Sequence, residues 1–394
     1  MATTPIATTP TNPAPRADWR EHWFENEEAT YLNLAGQSPM PKVSFRAVQA
    51  SLEWKKFPQR IPDTAFFDVP NRIRESLAKL IHAQPQDIAL TTGASSGMSG
   101  IAYGLAWKPG DEVITATGEF PLQYATWKPM EEREGIVLKM VAPREKYLDA
   151  DDIIAAMTPR TRVVSLSLVR FDNGVLIDAA RIGAACHKQG ALFVVDASQG
   201  AGAVPIDVSA MNVDFLVSAG YKFLLGPFGT GFCWGRPEVV ASLRPGPFYW
   251  MAAQGMDHGF SAMSFANPKP AAGAKRWDAA ETANYFNHAA LDASLDFVLQ
   301  TGPATALAHC HNLIEQLFDR LPQDRCIPAS PLDRARRGPY ACFAARTPEK
   351  TAALYDKLRK ENVIVSLREG NIRVSPYLFN TERDIDRLIS VITT

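Results

Sequence analysis

The sequence predicts an α/β fold in two parts: a mostly parallel mixed sheet covered by helices, then a smaller α+β region at the C-terminus. Three features predict it. From about residue 31 to 235, short runs rich in Val, Ile and Leu alternate with segments whose apolar residues recur at helical spacing. Such alternation implies a parallel sheet with both faces covered. The runs at 192–195 and 215–217 are apolar throughout, as strands buried on both faces must be. Beyond residue 284 the rhythm changes to a long helical pattern followed by interspersed short strands and helices.

Taken in order, residues 1–29 read as a flexible arm. Their Ala/Thr/Pro-rich start carries no basic n-region and no apolar h-region, so it is not a signal peptide. Tyr31-Leu32-Asn33-Leu34-Ala35-Gly36-Gln37-Ser38-Pro39 is a short apolar piece ending in turn residues. Strands are expected at 88–92, 112–115, 137–141, 163–168, 192–195 and 214–217, with helices at 96–107, 122–134 and 179–189. Residues 236–275, rich in Pro, Gly, Met and aromatics, read as connecting structure. A long helix follows from 284, its apolar stripe running through Ala289, Leu291, Leu295, Phe297 and Val298. Strands at 342–345, 363–366 and 372–375 and helices at 349–361 and 381–392 complete the chain. The division expected is a large domain over 30–283 and a small C-terminal domain over 284–394.

Composition excludes several classes of function. A chain of 394 residues builds a core without disulfides or metal. Forty-one basic against forty-two acidic residues leave a net charge of −1, which speaks against broad binding to nucleic acid or anionic membrane. No apolar stretch is long enough for a transmembrane helix. The five cysteines, odd in number and never at CxxC spacing, fit free thiols of a reducing cytoplasm better than a disulfide framework or a zinc site.

Four features fall at the ends of expected strands, where open α/β sheets place their ligands. Thr92-Gly93-Ala94-Ser95-Ser96-Gly97 joins a strand to a helix. Its small residues suit either an anion cradle at a helix N-terminus or an ordinary tight turn with a Ser cap. Gly118-Glu119-Phe120-Pro121 follows another strand, and its aromatic either stacks on a planar ring or belongs to the core. Asp196 ends a wholly apolar strand, with Gln199 one turn on. A carboxylate there either serves a buried cation or donor, or caps the next turn. Lys222, in Ser218-Ala219-Gly220-Tyr221-Lys222, sits among small and apolar residues. It is either a Schiff-base lysine of depressed pKa or a solvated loop residue. Together, with Lys222 lying 26 positions after Asp196, they make one constellation: phosphate anchor, ring platform, pyridinium partner and aldimine lysine. That is what a pyridoxal 5'-phosphate enzyme requires.

The stretch VVDASQGAGAVPIDVSAMNVDFLVSAGYKFLLGPFGTG resembles the cofactor segment of the class V aminotransferases, the fold-type-I group that includes cysteine desulfurases, kynureninase and isopenicillin N epimerase. The resemblance runs from YLNLAGQSP to the final IRVSPYLFNTERDIDRLI. It implies that Lys222 forms the internal aldimine and shuttles protons, that Asp196 keeps the ring nitrogen protonated, and that Gln199 contacts the ring hydroxyl. Ala94 and Ser95 match the phosphate loop. Phe120 takes the stacking position, where many relatives have His, and Tyr221 a phosphate-contacting one. Arg276-Trp277 followed by Thr282-Ala283-Asn284 resembles a motif whose Thr reaches the phosphate of the neighbouring subunit, which implies a homodimer with shared active sites. Arg373 matches the arginine that grips the α-carboxylate of an amino-acid substrate.

Two departures bear on the reaction. The loop Leu367-Arg368-Glu369-Gly370-Asn371 lacks the nucleophilic Cys of desulfurases, which disfavours persulfide chemistry. Where desulfurases place an Asn beside the ring, this chain has Ser167-Leu168-Val169-Arg170-Phe171-Asp172-Asn173-Gly174. Arg170 and Asn173 there either shape a substrate pocket, or Arg170 simply pairs with Asp172. Transamination is the leading expectation, with a lyase or epimerase of the same family as its rival. A nucleotide-binding oxidoreductase should show GxGxxG after the first strand and an acidic residue about twenty positions on; neither occurs in that context. A catalytically silent interaction protein should have lost the lysine or the aspartate, and both are present.

Overall fold

The computed structural model describes residues 18–26, 28–244, 246–256, 267–282 and 284–394. Residues 1–17 of the expected arm, 257–266 of the expected connecting stretch and Ala283 of the Thr motif lie outside them. The chain opens with β1 (Thr30–Tyr31), α1 (Lys42–Lys56), α2 (Ala65–Ile81), β2 (Ile88–Thr91), α3 (Ala94–Gly104), β3 (Glu112–Ala116), α4 (Pro121–Glu134) and β4 (Val137–Val141). It continues through α5 (Ala150–Ala156), β5 (Thr161–Ser167), α6 (Ala179–Gln189), β6 (Leu192–Asp196), β7 (Phe215–Ala219), β8 (Gly231–Gly235) and α7 (Pro237–Ala241). The remainder comprises α8 (Tyr285–Thr301), α9 (Pro303–Arg320), β9 (Cys326–Pro328), β10 (Ala341–Ala345), α10 (Pro348–Lys360), β11 (Val363–Ile364), β12 (Ser366–Arg368), β13 (Asn371–Val374) and α11 (Glu382–Thr393).

Seven strands form the main sheet in the order β2-β8-β7-β6-β5-β3-β4. All pairs are parallel except those of β8, which runs antiparallel to both β2 and β7. The apolar run of β6 shows why no alternation was visible in the sequence. Phe193 and Val195 pack into the core on one face while Val194 packs into the core on the other, so both phases of the period-2 pattern are buried. The first face is closed by α2, α6 and α8, and the second by α3 and α4.

The strand β8, GFCWG, is an element the sequence reading did not predict. Its glycines answer to contact rather than to turns. A Cβ on Gly231 would stand 2.6 Å from the Cα of Gly93 and 2.5 Å from the Ser218 carbonyl oxygen. The strand therefore runs close enough to the residue preceding α3 that only glycine fits.

A four-stranded antiparallel sheet, β12-β13-β10-β9, and the helices α10 and α11 build a separate core around Phe343, Leu358, Ile372 and Leu388. The single strand expected at 363–366 is split in two. Its first half, β11, pairs in parallel with β1, so the N-terminal segment joins the C-terminal part of the chain. Its second half, β12, pairs with β13. The described part of the expected arm is packed, not free. Trp19–His22 form a 3-10 turn and Trp23, 3% exposed, meets Phe297, Tyr377 and Phe379 edge-on. Its indole N–H donates to the Pro39 carbonyl at 3.0 Å. Trp23, with the partly buried Trp19 beside it, supplies the burial that the Ala/Thr/Pro stretch before them lacks.

Candidate active site

The carboxyl ends of β2, β3, β5, β6 and β7 open on one cavity of about 250 Å³. It is bordered by residues 92–96, Phe120, Ser167, Phe171, Asp196, Ser198, Gln199, Tyr221, Lys222 and Phe228. Of the residues expected from sequence, Ala94, Ser95, Phe120, Asp196, Gln199, Tyr221 and Lys222 are therefore brought together.

Residues 92–96 lead from β2 into α3, an eleven-residue helix whose N-cap, Gly93, offers no side-chain bond to the first turn. Ser96 Oγ turns back to the Gly93 carbonyl at 3.0 Å. The first backbone N–H groups of α3 thus have no capping side chain of their own, at the edge of the cavity and with the helix dipole behind them. Gly97 lets the helix lie against the sheet: a Cβ there would stand 2.8 Å from Val217 Cγ1 and 3.0 Å from Cys233 Cβ.

Asp196 is 4% exposed at the end of β6, and its Oδ1 accepts the Ser198 N–H at 2.9 Å. Ser198 Oγ in turn accepts the Ala219 N–H at 3.0 Å, tying the turn after β6 to β7. Gln199 donates from Nε2 to the Ala35 carbonyl at 3.2 Å, while its buried Oε1 has no partner. Lys222 is 7% exposed. Burial pushes its ammonium down to about 8 from 10.5; the charge of Asp196 opposes the shift, and those of Arg373 and Arg368 add to it. Its Nζ stands 5.3 Å from the Phe120 ring centroid and 5.7 Å from that of Tyr221. Tyr221 stacks on Phe228 with centroids 4.0 Å apart, and Phe120 meets Phe171 edge-on at 5.5 Å.

Glu119 was missed as a participant, although it carries the same signal as Asp196: a carboxylate just past an apolar strand. Its side chain is 3% exposed. It accepts from Ser167 Oγ at 2.5 Å and from the Ser167 N–H at 3.1 Å. Burial holds its carboxyl above the usual range, against the pull of Arg170 and Ser167. The turn that delivers it needs Gly118, whose φ is +69° and whose absent Cβ would lie 2.9 Å from Arg170 Nη2. Because Glu119 is anchored, Phe120 beside it is held over Lys222.

Four expected residues do not border this cavity. Arg170 is buried behind it, donating to the Thr117 carbonyl at 2.8 Å and pairing with Asp172 at 3.2 Å and Glu119 at 3.7 Å. Asn173 shapes the turn: its Oδ1 accepts the Val175 N–H at 3.1 Å. Of the two readings of Arg170, the geometry shows the ion pair. Arg373, 2% exposed on β13, donates to the Phe171 carbonyl at 3.3 Å and lies 5.3 Å from the Tyr340 ring centroid. Thr282 is buried near His288.

The donor set suits pyridoxal phosphate: an uncapped helix N-terminus for a phosphate, an exposed aromatic face, a carboxylate at a strand end, an unpartnered amide oxygen and a buried amine. Comparison with known proteins agrees. The family model described as aminotransferase class-V matches residues 30–388. The chain belongs to that family. Class-V aminotransferases are pyridoxal-phosphate enzymes, and this one carries the family's α/β architecture with a mixed sheet. It is 27% identical to the isopenicillin N epimerase of Streptomyces clavuligerus over 94% of this chain and 97% of that protein. It is 33% identical to a probable cysteine desulfurase of Methanothermobacter thermautotrophicus over 55% of each chain. Among solved structures, the cystine C-S lyase C-DES in complex with cysteine persulfide superposes with a TM-score of 0.84 at 23% identity, covering 93% of this chain and 97% of that one.

Proposed function

We propose that this class-V aminotransferase family member holds pyridoxal 5'-phosphate on Lys222 and transfers the amino group of an amino acid. The observation that carries the reading is the juxtaposition in one cavity of a buried lysine pushed down to about 8 and a buried strand-end aspartate. Bound there, the cofactor supplies an electron sink for charge that develops at the substrate's α-carbon. Asp196 holds a proton at the ring nitrogen, and the free Gln199 Oε1 accepts from the ring hydroxyl. Phe120 covers the ring, and Ala94, Ser95 and Tyr221 take the phosphate together with the N–H groups of α3. Lys222 Nζ, once free, takes and returns the α-proton, a task that a pKa near 8 suits. Arg373 grips the α-carboxylate. Arg170, paired with Asp172 and Glu119, and Asn173, which accepts the Val175 N–H, brace the turn whose Phe171 carbonyl receives Arg373. A persulfide carried on one of the chain's own cysteines has no support: all five are buried, and burial pushes Cys342, on β10, up to about 12.

The functional unit is a cytoplasmic homodimer in which Thr282 completes the phosphate site of the neighbouring subunit. The apolar faces of Phe228, 56% exposed, and Phe120, 41% exposed, at the cavity mouth support that reading. A second reading, lyase or epimerase chemistry on the same residues, is favoured by the epimerase relative aligned along nearly the whole chain. Visible absorbance of the purified protein separates them. A yellow band that borohydride removes, and that Lys222→Ala lacks, establishes the attachment. Conversion to a pyridoxamine spectrum with release of keto acid means transamination, whereas an unchanged band with product accumulating means lyase or epimerase. A protein that stays colourless with added cofactor refutes the assignment.

A further inference from the structure

The hairpin β12–β13 places a second arginine beside the first. Ser366 pairs with Arg373, and Arg368 pairs with Asn371. Residues 366 and 368 share a face, and cross-strand partners share theirs, so Arg368 and Arg373 lie diagonally on one face of the hairpin. The diagonal spacing on such a ladder is about 7–8 Å. The turn between the strands is tight, with Glu369 at φ +45° and Gly370 at φ +75°. This is the geometry of a two-residue turn that fixes register. Arg368 is thus an exposed cation on a rigid mount.

Neither arginine has an acidic partner among the described residues. Arg368 donates only to the Leu367 carbonyl, at 2.8 Å. Arg373 donates to the Phe171 carbonyl, and its buried Nε has no partner. Of the carboxylates nearby, Asp172 and Glu119 engage Arg170 and Asp196 engages Ser198, while the exposed Glu369, next to Arg368 in the turn, makes no ion pair with either arginine. Both arginine charges bear on the Lys222 ammonium, and Arg368 bears on Arg373 as well. Three mutually repelling cations therefore act on one another at the edge of the cavity: Lys222 lines it, Arg373 reaches the carbonyl of the lining residue Phe171, and Arg368 lies diagonally beyond Arg373. An α-carboxylate on Arg373 answers only one of the two arginines.

We propose that Arg368 receives a second carboxylate, so that the preferred substrate is an amino acid with an acidic side chain. The inference rests on the reading of this site as one for amino acids, with Arg373 on the α-carboxylate. Two carboxylates then bridge from the buried arginine to the exposed one, and the charge on that face is neutralised.

The test has two arms. In the first, the purified holoenzyme is titrated by calorimetry with glutarate and with its monoamide, neither of which can react at Lys222. Glutarate should bind about tenfold tighter or more, the worth of one charge-assisted pair. Arg368→Gln should bring the two ligands to within about twofold, and Arg368→Lys should keep most of the difference. Equal binding of the two ligands, or a preference untouched by Arg368→Gln, overturns the inference. In the second arm, kcat/KM is compared for glutamate and aspartate against glutamine and asparagine. The acid-to-amide ratio should exceed about ten in the wild type and collapse in Arg368→Gln. If amides are turned over as well as acids, the second carboxylate is refuted while the Lys222 assignment stands. If borohydride labels nothing at Lys222, that assignment falls, and the calorimetric preference still decides the arginine pair.

Discussion

At Lys222, burial sets the chemistry and also strains the fold. An ammonium 7% exposed and pushed down to about 8 binds its proton less tightly in the folded chain than in the unfolded one. Stability therefore rises with pH between the folded value near 8 and the unfolded value of 10.5. Without cofactor, and relative to the wild type, Lys222→Met should be more stable by about 3 kcal/mol at pH 7 than at pH 10.5. The measurement is urea unfolding of both cofactor-free proteins at the two pH values; a pH-independent difference would mean that the ammonium is solvated. Asp196, Gln199 and Lys222 were legible in the sequence because each is a polar residue set against an apolar strand or a run of small residues. Glu119 carried the same mark and was passed over for the aromatic next to it. What sequence could not give was its partner: Ser167 and Arg170 reach it from β5 and the loop beyond, about fifty positions away. The ion pair of Arg170 with Asp172, two positions on, was one of the two readings open in the sequence, and the structure shows it at 3.2 Å with Glu119 added at 3.7 Å.

The anion cradle belongs to a helix, and its position depends on how α3 lies on the sheet. Gly97 lets α3 touch Val217 and Cys233, whereas Gly104, at the other end of the helix, faces Leu243 at an ordinary 3.5 Å. Gly97→Ala should force α3 off the sheet, cost about 1–3 kcal/mol and weaken cofactor retention. Gly104→Ala should be neutral or stabilise by up to about 1 kcal/mol, with the cofactor held as before. Thermal unfolding and a cofactor-release assay read both effects. Equal behaviour of the two variants would show that the close approach at Gly97 sets nothing. Strands with both faces apolar, such as β6, were read directly from composition. The element β8 was not, because the glycines that admit it between β2 and β7 look like turn residues until Gly93 and Ser218 are seen against them. The strand expected at 363–366 also misled: it is one apolar run serving two sheets.

Across the whole molecule, the N-terminal segment ties the C-terminal sheet to the cavity. The strand β1 pairs with β11; Ala35 accepts from Gln199, and Ser38 donates from its N–H and Oγ to the Tyr221 carbonyl, at 3.1 Å each. These contacts brace Gln199 and Tyr221 in the cavity lining, where Phe120 and Phe228 are exposed. Thr282 borders no part of its own cavity. The segment preceding it is clamped instead on β2, where Asp278 accepts the Leu90 N–H at 2.9 Å and pairs with buried Arg74. In the proposed dimer each cavity combines Lys222 of one protomer with Thr282 of its partner, and mixing experiments expose that division. A Lys222→Ala homodimer should be inactive, and a Thr282→Ala homodimer should hold the cofactor about tenfold less tightly, the loss of one hydrogen bond to a charged group. In a hybrid of the two, the Thr282→Ala protomer keeps its lysine and borrows an intact threonine, so one cavity in each hybrid is complete. At limiting cofactor, activity of the co-expressed mixture should rise well above the sum of the separate homodimers. If Thr282 served its own chain, each hybrid would contain one cavity without lysine and one without threonine, and mixing would add nothing.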